Sequence, residues 1–341
     1  MKIFRLFLCL LSSTLLAFSY SAEAKPKSKS KAKTTRPATS KTSHPLLGNP
    51  HSKYRGWDYL VGQLRKAGVS ERDIDAIYQD PRMPRFTFIP FKVKPKEPTT
   101  MYTSFNKDYF AELGAAFIEE YDYEFDTMER AYGVSREVVT AILVIETQLG
   151  RHTGKDMIVY RLSRLAAVLD PNNIKENYRR LKASDPSVTL EEVKARGRYL
   201  EDTFLPEIPA IIDISKRNHV NVFHILGSSA GAFGIPQFLP TAFHKFGIDG
   251  DGDGHISLFN KTDALWSAGN YLASFGYRRD LPYAEKRKVI WEYNRSDAYI
   301  DTVLRLASRI REHGVMGCKR VRPSEKAETT QVGWCPDARE P

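Results

Sequence analysis

The stretch SREVVTAILVIETQLG, residues 135–150, sets the strongest condition on how this chain folds. Its apolar residues recur from Val138 to Leu149 at the 3.6-residue period of an α-helix, and Ser135 is a suitable N-cap for that helix. Five consecutive apolar residues, 141–145, lead directly into Glu146 near the end of the helix. The segment therefore predicts a helix that holds one carboxylate in a partly buried position.

Most other segments also carry helical signals, and no stretch alternates long enough to require a large sheet. We predict further helices over residues 59–67, 70–78, 105–132 and 261–275, with Ser70 as a cap and Gly68 and Gly133 as stop signals. Residues 81–98 hold five prolines among aromatic side chains and predict an extended connector laid on a core. The expected fold class is mainly α.

The position of Glu146 indicates acid–base chemistry. Partial burial disfavours its charged form, and so does the negative end of the helix dipole. Both effects raise the pKa of the carboxyl group, as a general acid working near neutral pH requires. From this segment alone, a glutamate that has simply reached the solvent edge of its helix is the simpler interpretation.

Residues 248–263, IDGDGDGHISLFNKTD, have the spacing of a calcium-binding loop. Asp249, Asp251 and Asp253 occupy positions 1, 3 and 5, Gly254 supplies the turn at position 6, and the carbonyl of His255 falls at position 7. Three carboxylates in one tight turn repel one another strongly without a cation. The loop therefore predicts a structural Ca²⁺ ion.

Position 12 of this loop departs from the usual pattern, since Asn260 stands there instead of a bidentate glutamate. Asp263 is the best substitute ligand. A local alternative is that Asn260 caps the helix that begins at Lys261, with Asp263 at the third helical position.

Upstream, the segment GSSAGAFGIPQFLPTAF, residues 227–243, is rich in small residues. Such residues let the backbone approach a bound chain closely, and Ser228 and Gln237 offer hydrogen bonds. The alternative is a tightly packed helix–helix contact.

Taken together and in this order, four segments resemble the lytic murein transglycosylase B family, whose catalytic fold is lysozyme-like. The segments are YGVSREVVTAILVIETQLGRHTGK, GSSAGAFGIPQFLPTAF, IDGDGDGHISLFNKTDALWSAGNYL and YNRSDAYIDTVL, within residues 56–311. The resemblance implies that Glu146 is the catalytic acid/base. It implies substrate-binding roles for Ser228, Gln237, Tyr293, Asn294 and Tyr299, and an EF-hand-like calcium loop formed by Asp249, Asp251, Asp253, His255 and Asp263.

The reaction that the resemblance implies is cleavage of the β-1,4 bond between N-acetylmuramic acid and N-acetylglucosamine in peptidoglycan. A 1,6-anhydro ring would form without water, so one carboxylate suffices where ordinary glycosidases need two. The implied partner is the glycan strand, with other cell-wall enzymes as further candidates, and no organic cofactor is expected. Alternatives are a hydrolytic muramidase, a non-catalytic peptidoglycan-binding protein and, least favoured, a calcium-buffering or scaffold module.

Two departures from the family pattern concern the outer cleft. The family places two arginines some 25 residues after the glutamate, where this chain has Pro171 and Asn172. Arg179 and Arg180 follow later, and a pair of arginines is more often a solvated helix face. The stretch 277–289 is also shorter than the family pattern.

The net charge of +10 comes from the N-terminal region. Residues 1–24 read as a secretory signal peptide ending in Ala22-Glu23-Ala24, with an uncleaved anchor as the alternative. Residues 25–55 hold nine basic residues and no acidic one, which predicts a solvated tether, whereas the chain from Gly56 onward is balanced. We therefore expect an exported, periplasmic protein without an integral membrane span in its mature chain, and no nucleic-acid partner.

After the signal, Cys318 and Cys335 are the remaining cysteines, and an exported chain favours a disulfide between them. A zinc site or a catalytic thiol is disfavoured, since the tail lacks a suitable histidine. The expected layout is a catalytic region over 56–314, with a helical subdomain over about 56–132, followed by a C-terminal tail over 315–341.

Overall fold

The computed structural model describes residues 47, 49, 51–95, 97–98 and 100–320, with side chains described as far as residue 314. The predicted signal peptide and most of the predicted tether lie outside the described residues. So do Cys335 and the side chain of Cys318, and their disulfide stays a prediction. Within the described ranges, none of the helices combines the length and the apolar character that crossing a membrane requires.

The described chain is built almost entirely from helices, as the sequence predicts. The helices are α1 (Asp58–Lys66), α2 (Glu71–Tyr78), α3 (Asp108–Glu120), α4 (Asp122–Tyr132), α5 (Arg136–Thr147), α6 (Ile158–Ala166), α7 (Pro171–Ser184), α8 (Leu190–Phe204), α9 (Glu207–Arg217), α10 (Pro240–Phe246), α11 (Lys261–Ser274), α12 (Tyr283–Tyr293) and α13 (Asp297–Arg320). Two short strands, β1 (Asp156–Met157) and β2 (Leu226–Gly227), pair antiparallel. Short 3-10 helices cover Thr103–Asn106 and Val222–His224.

The chain forms two compact units, and the first contains Pro95–Leu162 together with the described residues from Pro206 onward. Helix α5 is central to its core, because α3, α11 and α13 all pack against it. Every residue of α5 is buried except Glu146, which is half-buried. The predicted burial of this helix and the position of its one partly accessible carboxylate are both observed.

The start of α5 differs in detail from the prediction. Ser135 stands at the N-cap, but its side chain makes no capping hydrogen bond. Instead, the Arg136 N–H donates to Glu129 Oε1 at 2.7 Å, so a carboxylate of the preceding helix takes over the cap. The buried Arg136 guanidinium is also paired with Asp122 and Asp126.

The predicted helix over 105–132 is divided into α3 and α4. Tyr121 breaks it with a backbone at φ −116° and ψ 33°, and its ring packs on Phe117 at a centroid distance of 4.8 Å. Gly133 ends α4 in the left-handed region, at φ 66°, as predicted. Ser70 caps α2 as predicted, because its side chain accepts the Asp73 N–H.

The second unit combines the described residues up to Lys94 with Ser163–Leu205. Its extended connector is held by two buried amides of α7. Asn173 Oδ1 accepts the Ile89 N–H at 2.8 Å, and Asn177 Oδ1 accepts the Phe91 N–H at 3.1 Å. The predicted helical subdomain over about 56–132 is therefore divided, because α3 and α4 pack with α5 and α11 in the first unit.

Candidate active site

Glu146 lies at the C-terminal end of α5, where the helix is stopped by two left-handed residues. Gln148 and Leu149 have φ values of 52° and 58°. The side chain of the neighbouring Thr147 donates to the Ile235 carbonyl at 2.9 Å and accepts the Gly150 N–H at 3.0 Å. Thr147 thus fixes the end of the helix to the glycine-rich segment.

Two opposing effects set the protonation of Glu146. Burial raises the pKa of its carboxyl group to about 7. The Tyr299 hydroxyl donates to Oε1 at 2.7 Å and lowers that pKa, but burial is the larger effect. At neutral pH the group is therefore poised between its acid and base forms, in the direction that its apolar flank predicts.

Tyr299 reaches Glu146 from α13, and it is fully buried. Burial raises the pKa of this phenol, and the negative charge of Glu146 raises it further. The hydroxyl consequently stays protonated and acts as a donor. Its ring meets Tyr102 edge to face, with centroids 5.7 Å apart.

The other predicted residues of the YNRSDAY segment lie where α12 ends: Tyr293 is its last residue, and Asn294 begins the turn to α13. The Tyr293 hydroxyl donates to the Pro236 carbonyl at 2.6 Å, which ties this turn to the glycine-rich segment. Asn294 is 1% exposed, and neither atom of its amide makes a well-formed hydrogen bond among the described residues, although the amide interacts with the Tyr102 hydroxyl and lowers the pKa of that phenol. A buried amide that is weakly satisfied is costly.

Ser228 and Gln237 shape the glycine-rich segment, and their side chains bond to backbone groups. The Ser228 hydroxyl donates to the Ala232 carbonyl at 3.2 Å and accepts the Ala232 N–H at 3.3 Å. Gln237 Nε2 donates to the carbonyls of Gly234 and Thr153, at 2.8 and 3.2 Å. The structure therefore brings Tyr299 into direct contact with Glu146 and places Ser228 and Gln237 in the adjoining loop.

The acidic loop brings three of the five predicted ligand residues together. Carboxylate oxygens of Asp249, Asp251 and Asp263 lie within 4.8 Å of one another, and Asp253 and His255 are outside this group. Asp249 also accepts the N–H groups of Gly252 and Gly254, both at 2.8 Å, through different oxygens.

The capping alternative for position 12 is observed, and the ligand role of Asp263 stays a prediction. Asn260 caps α11, because its side chain accepts the N–H groups of Thr262 and Asp263. The Asp263 carboxylate, in the first turn of α11, accepts the N–H groups of Gly250 and Ser257 in the loop, at 2.8 and 2.7 Å.

Comparison with known proteins decides the family. The family described as "Transglycosylase SLT domain" matches residues 53–288, which is more than half of the chain. The chain belongs to the transglycosylase SLT domain family. Its sequence is 26% identical over 187 residues to the membrane-bound lytic murein transglycosylase B of Escherichia coli strain K12. That match covers 54% of this chain and 44% of the relative, so the chain spans less than half of the curated relative's length.

Solved structures of this family share the fold. Soluble lytic transglycosylase SltB1 from Pseudomonas aeruginosa matches with 20% identity and a TM-score of 0.55, over 75% of this chain and 98% of SltB1. The Escherichia coli lytic transglycosylase Slt35 in complex with calcium matches with 17% identity and a TM-score of 0.56, over 83% and 99%. SltB3 from Pseudomonas aeruginosa in complex with NAG-anhNAM-pentapeptide matches with 18% identity and a TM-score of 0.55, over 76% and 80%. The predicted mainly helical transglycosylase fold is confirmed.

The arginine pair of this transglycosylase SLT domain lies on α7. Arg179 donates two hydrogen bonds to Glu176, at 2.7 and 2.8 Å, and the Arg180 guanidinium lies 4.9 Å from the Phe88 ring centre. At the positions where the family pattern has arginines, Asp170 accepts the N–H of Asn172 and α7 begins at Pro171. Neither arginine is assigned a substrate role.

Three residues around Glu146 were not singled out from the sequence: Glu97, Tyr102 and Thr147. Thr147 directly follows Glu146, and this adjacency is the sequence feature that could have indicated its contact with the site. Tyr102 and Glu97 precede Glu146 by more than 40 residues and lie in or beside the proline-rich connector. Nothing in their local sequence indicates contact with the end of α5.

Proposed function

We propose that this protein is a lytic transglycosylase that cleaves the β-1,4 bond between N-acetylmuramic acid and N-acetylglucosamine in peptidoglycan. The carrying observation is Glu146, a half-buried carboxyl group with a pKa of about 7 at the end of a buried helix. Family membership supports the proposal, and so does the fold shared with lytic transglycosylases.

In this proposal Glu146 acts first as an acid and then as a base. Because Tyr299 donates to Oε1, the proton of the acid form belongs on Oε2, from which it passes to the leaving glycosidic oxygen. As the bond from C1 to the leaving oxygen breaks, the carboxylate takes the proton of the C6 hydroxyl of the same muramic residue. The C6 oxygen attacks C1 and closes the 1,6-anhydro ring. An internal nucleophile has a high effective concentration and makes a second carboxylate unnecessary.

The substrate-binding roles of Ser228, Gln237, Tyr293, Asn294 and Tyr299 belong to the same proposal. The amide of Asn294, which makes no well-formed hydrogen bond among the described residues, is suited to a hydroxyl or acetamido group of the glycan. Ser228 and Gln237 hold the backbone of the loop beside the site.

Glu146→Gln tests the function. The variant is nearly isosteric and keeps the fold, but it loses turnover by about 10²–10⁴-fold or more, because both proton transfers depend on one residue. The measurement is mass spectrometry of digested sacculi for anhydro-muropeptides.

Glu207→Gln is the matched control. Glu207 is also buried with a pKa of about 7, but its carboxylate accepts hydrogen bonds from Thr241. This control is expected to retain activity. Hydrated muropeptides from the wild type would identify a muramidase instead, and a well-folded Glu146→Gln protein that still releases anhydro products would contradict the assignment.

Calcium is the second part of the proposal. The acidic loop has a carboxylate donor set that suits this hard cation, with Asp249, Asp251 and Asp263 already gathered and Asp253 and the His255 carbonyl as further ligands. Slt35, which shares the fold, was solved in complex with calcium. The ion would be structural, and no step of the reaction uses it.

Millimolar calcium is expected to raise the melting temperature by about 5–10 °C when it exceeds its Kd about 100-fold, since it binds only the folded loop. Asp251→Ala removes this difference, whereas Asp280→Ala, at an exposed position outside the loop, retains it. Identical melting curves with calcium and with chelator would remove the assignment.

The N-terminal sequence supports export to the periplasm. The signal-like residues 1–24 and the basic residues 25–55 are suited to delivery and to weak attraction toward anionic wall polymer. The relative from Escherichia coli is named as membrane-bound.

A further inference from the structure

A second carboxylate, Glu97, is tied to the elements that hold the active site. Its Oε1 accepts a hydrogen bond from the Tyr102 hydroxyl at 2.8 Å. Its Oε2 accepts a short hydrogen bond from the Ser296 hydroxyl. Both oxygens of Glu97 therefore have hydroxyl partners from different segments of the same compact unit.

Ser296 directly precedes α13 and caps its first turn. Its Oγ accepts the Tyr299 N–H at 3.2 Å, and its carbonyl accepts the Ile300 N–H at 3.0 Å. Because the Ser296 hydroxyl proton goes to Glu97, its lone pairs are left free to cap the helix. Glu97 thus anchors the first turn of α13, which carries Tyr299.

Tyr102 supplies the second connection. It is 5% exposed, and its ring edge packs on the Tyr299 ring. Burial raises the pKa of Tyr102, and the charges of Glu97 and Glu146 raise it further. Tyr102 therefore remains a donor to Glu97 and keeps a fixed orientation against Tyr299.

We propose that Glu97 is a positioning residue for Glu146: by holding Ser296 and Tyr102, it fixes the Tyr299 hydroxyl in contact with the Glu146 carboxylate. The assignment rests on the proposed function, in which Glu146 transfers the protons. Glu97 itself does not touch the reacting atoms.

The pKa of Glu146 and the pKa of Tyr299 are coupled through this contact. The Tyr299 hydroxyl lowers the pKa of Glu146, and electrostatic interactions with Glu146, Tyr293 and Tyr102 raise the pKa of Tyr299. Loss of the Tyr299 donation raises the pKa of Glu146, whereas loss of a nearby negative charge alone lowers it. Glu97→Ala and Glu97→Gln separate these effects, because the amide of glutamine can accept a hydrogen bond from one hydroxyl through its oxygen and donate one to the other through its NH₂ group.

The experiment measures two quantities for each variant: kcat and KM on soluble glycan strands, and the pKa of Glu146 by carboxyl ¹³C titration without substrate. The Glu146 signal is assigned by its absence in Glu146→Gln. Glu120→Gln is the matched control, because the Glu120 carboxylate also joins distant segments, through Lys261 at 3.3 Å, but at an exposed position.

We expect Glu97→Ala to lower kcat about tenfold or more, to change KM by less than about threefold, and to raise the pKa of Glu146. Glu97→Gln is expected to stay within about threefold of wild type in kcat and not to raise that pKa. Glu120→Gln changes neither quantity. If Glu97→Ala does not fold, Tyr102→Phe removes one of the two connections without a cavity and is expected to shift the pKa upward by a smaller amount.

A folded Glu97→Ala, or Tyr102→Phe in its place, with an unchanged or lowered pKa of Glu146 overturns the proposal. The titration needs no substrate, so it remains decisive if the wild type releases no anhydro-muropeptides. The absence of anhydro-muropeptides would reject the proposed function, and the positioning role of Glu97 would then be judged by the titration alone.

Discussion

At the scale of single residues, the site depends on the balance between burial and one hydrogen bond at Glu146. Burial favours the protonated form, which the acid step needs, and the Tyr299 hydroxyl favours the carboxylate, which the base step needs. A pKa near 7 leaves both forms accessible at neutral pH, and a general acid–base is most effective under that condition.

Tyr299→Phe tests this balance. The variant loses the donor to Oε1, so the pKa of Glu146 rises, by about one unit for a hydrogen bond to a charged group worth about 1.5 kcal/mol. Since the acid step needs protonated Glu146, activity falls as pH rises through this pKa. The alkaline limb of the pH–rate profile is therefore expected at higher pH than in the wild type, and an unmoved limb would mean that Tyr299 does not control the group.

Only half of this balance could be predicted from the sequence. The apolar run before Glu146 indicates that the carboxyl group is partly buried, because the run and Glu146 belong to one helix. The opposing hydroxyl comes from a residue 153 positions away, and its contact depends on how α13 packs on α5. The burial of the Asn294 amide is likewise a property of packing, which no local pattern specifies.

At the scale of elements, the glycine-rich segment is shaped by close backbone contacts. Gly154 has φ 94°, and a Cβ placed there would lie 2.1 Å from the Gly227 carbonyl oxygen. Gly227 in turn belongs to β2, which pairs with β1, and β1 begins two residues after Gly154. At this point the small residues let two stretches of backbone pack closely, in a strand pairing and not in the helix–helix contact that the sequence offered as the alternative.

Gly154→Ala is expected to destabilise the protein and to lower activity, because it adds a clash with backbone to the strain of a left-handed residue. Gly276→Ala is the matched control, since Gly276 has φ 88° and nothing within 4 Å of the added carbon. The control should cost only the left-handed penalty, about 1–2 kcal/mol. Urea unfolding of both variants measures the difference, and equal losses would show that the close contact relaxes freely.

Helix boundaries could be predicted where the signal is local. Ser70 and Asn260 cap their helices as their sequence positions indicate. Ser135 does not, because Glu129 from the preceding helix satisfies the exposed N–H of Arg136. The break at Tyr121 was missed because the sequence there has no glycine or proline to mark it.

At the scale of the whole molecule, the two units are interleaved along the chain. The second unit is assembled from the N-terminal described residues and Ser163–Leu205, and the first unit contains the segment between them. The predicted subdomain over about 56–132 assumes that each unit is one continuous segment of the chain. It therefore places α3 and α4 with the N-terminal helices. Within the second unit the connector pairs with Asn173 and Asn177 on α7, and such long-range amide contacts leave no pattern in the sequence.

The stability of the whole protein should also report its buried acids through its dependence on pH. In the folded protein the pKa values of Glu146 and Glu207 are raised to about 7 from the ordinary 4.5. Between these values the unfolded chain has lost the protons that the folded chain still holds. The free energy of unfolding contributed by these groups is therefore present in full below pH 4.5 and is lost as pH rises to about 7.

Replacing either glutamate with glutamine removes this loss. Relative to wild type, Glu146→Gln and Glu207→Gln should each gain stability between pH 4 and pH 8, by on the order of 3 kcal/mol for a shift of this size. Glu176→Gln is the control that should stay nearly parallel to the wild type over this range, because Arg179 lowers the pKa of Glu176 and its contribution is lost only as pH falls below the ordinary 4.5. Urea unfolding at fixed calcium concentration across this range measures all three differences. Curves for the two buried variants that run parallel to the wild type from pH 4 to pH 8 would mean that neither carboxyl group keeps its proton in the folded protein at neutral pH.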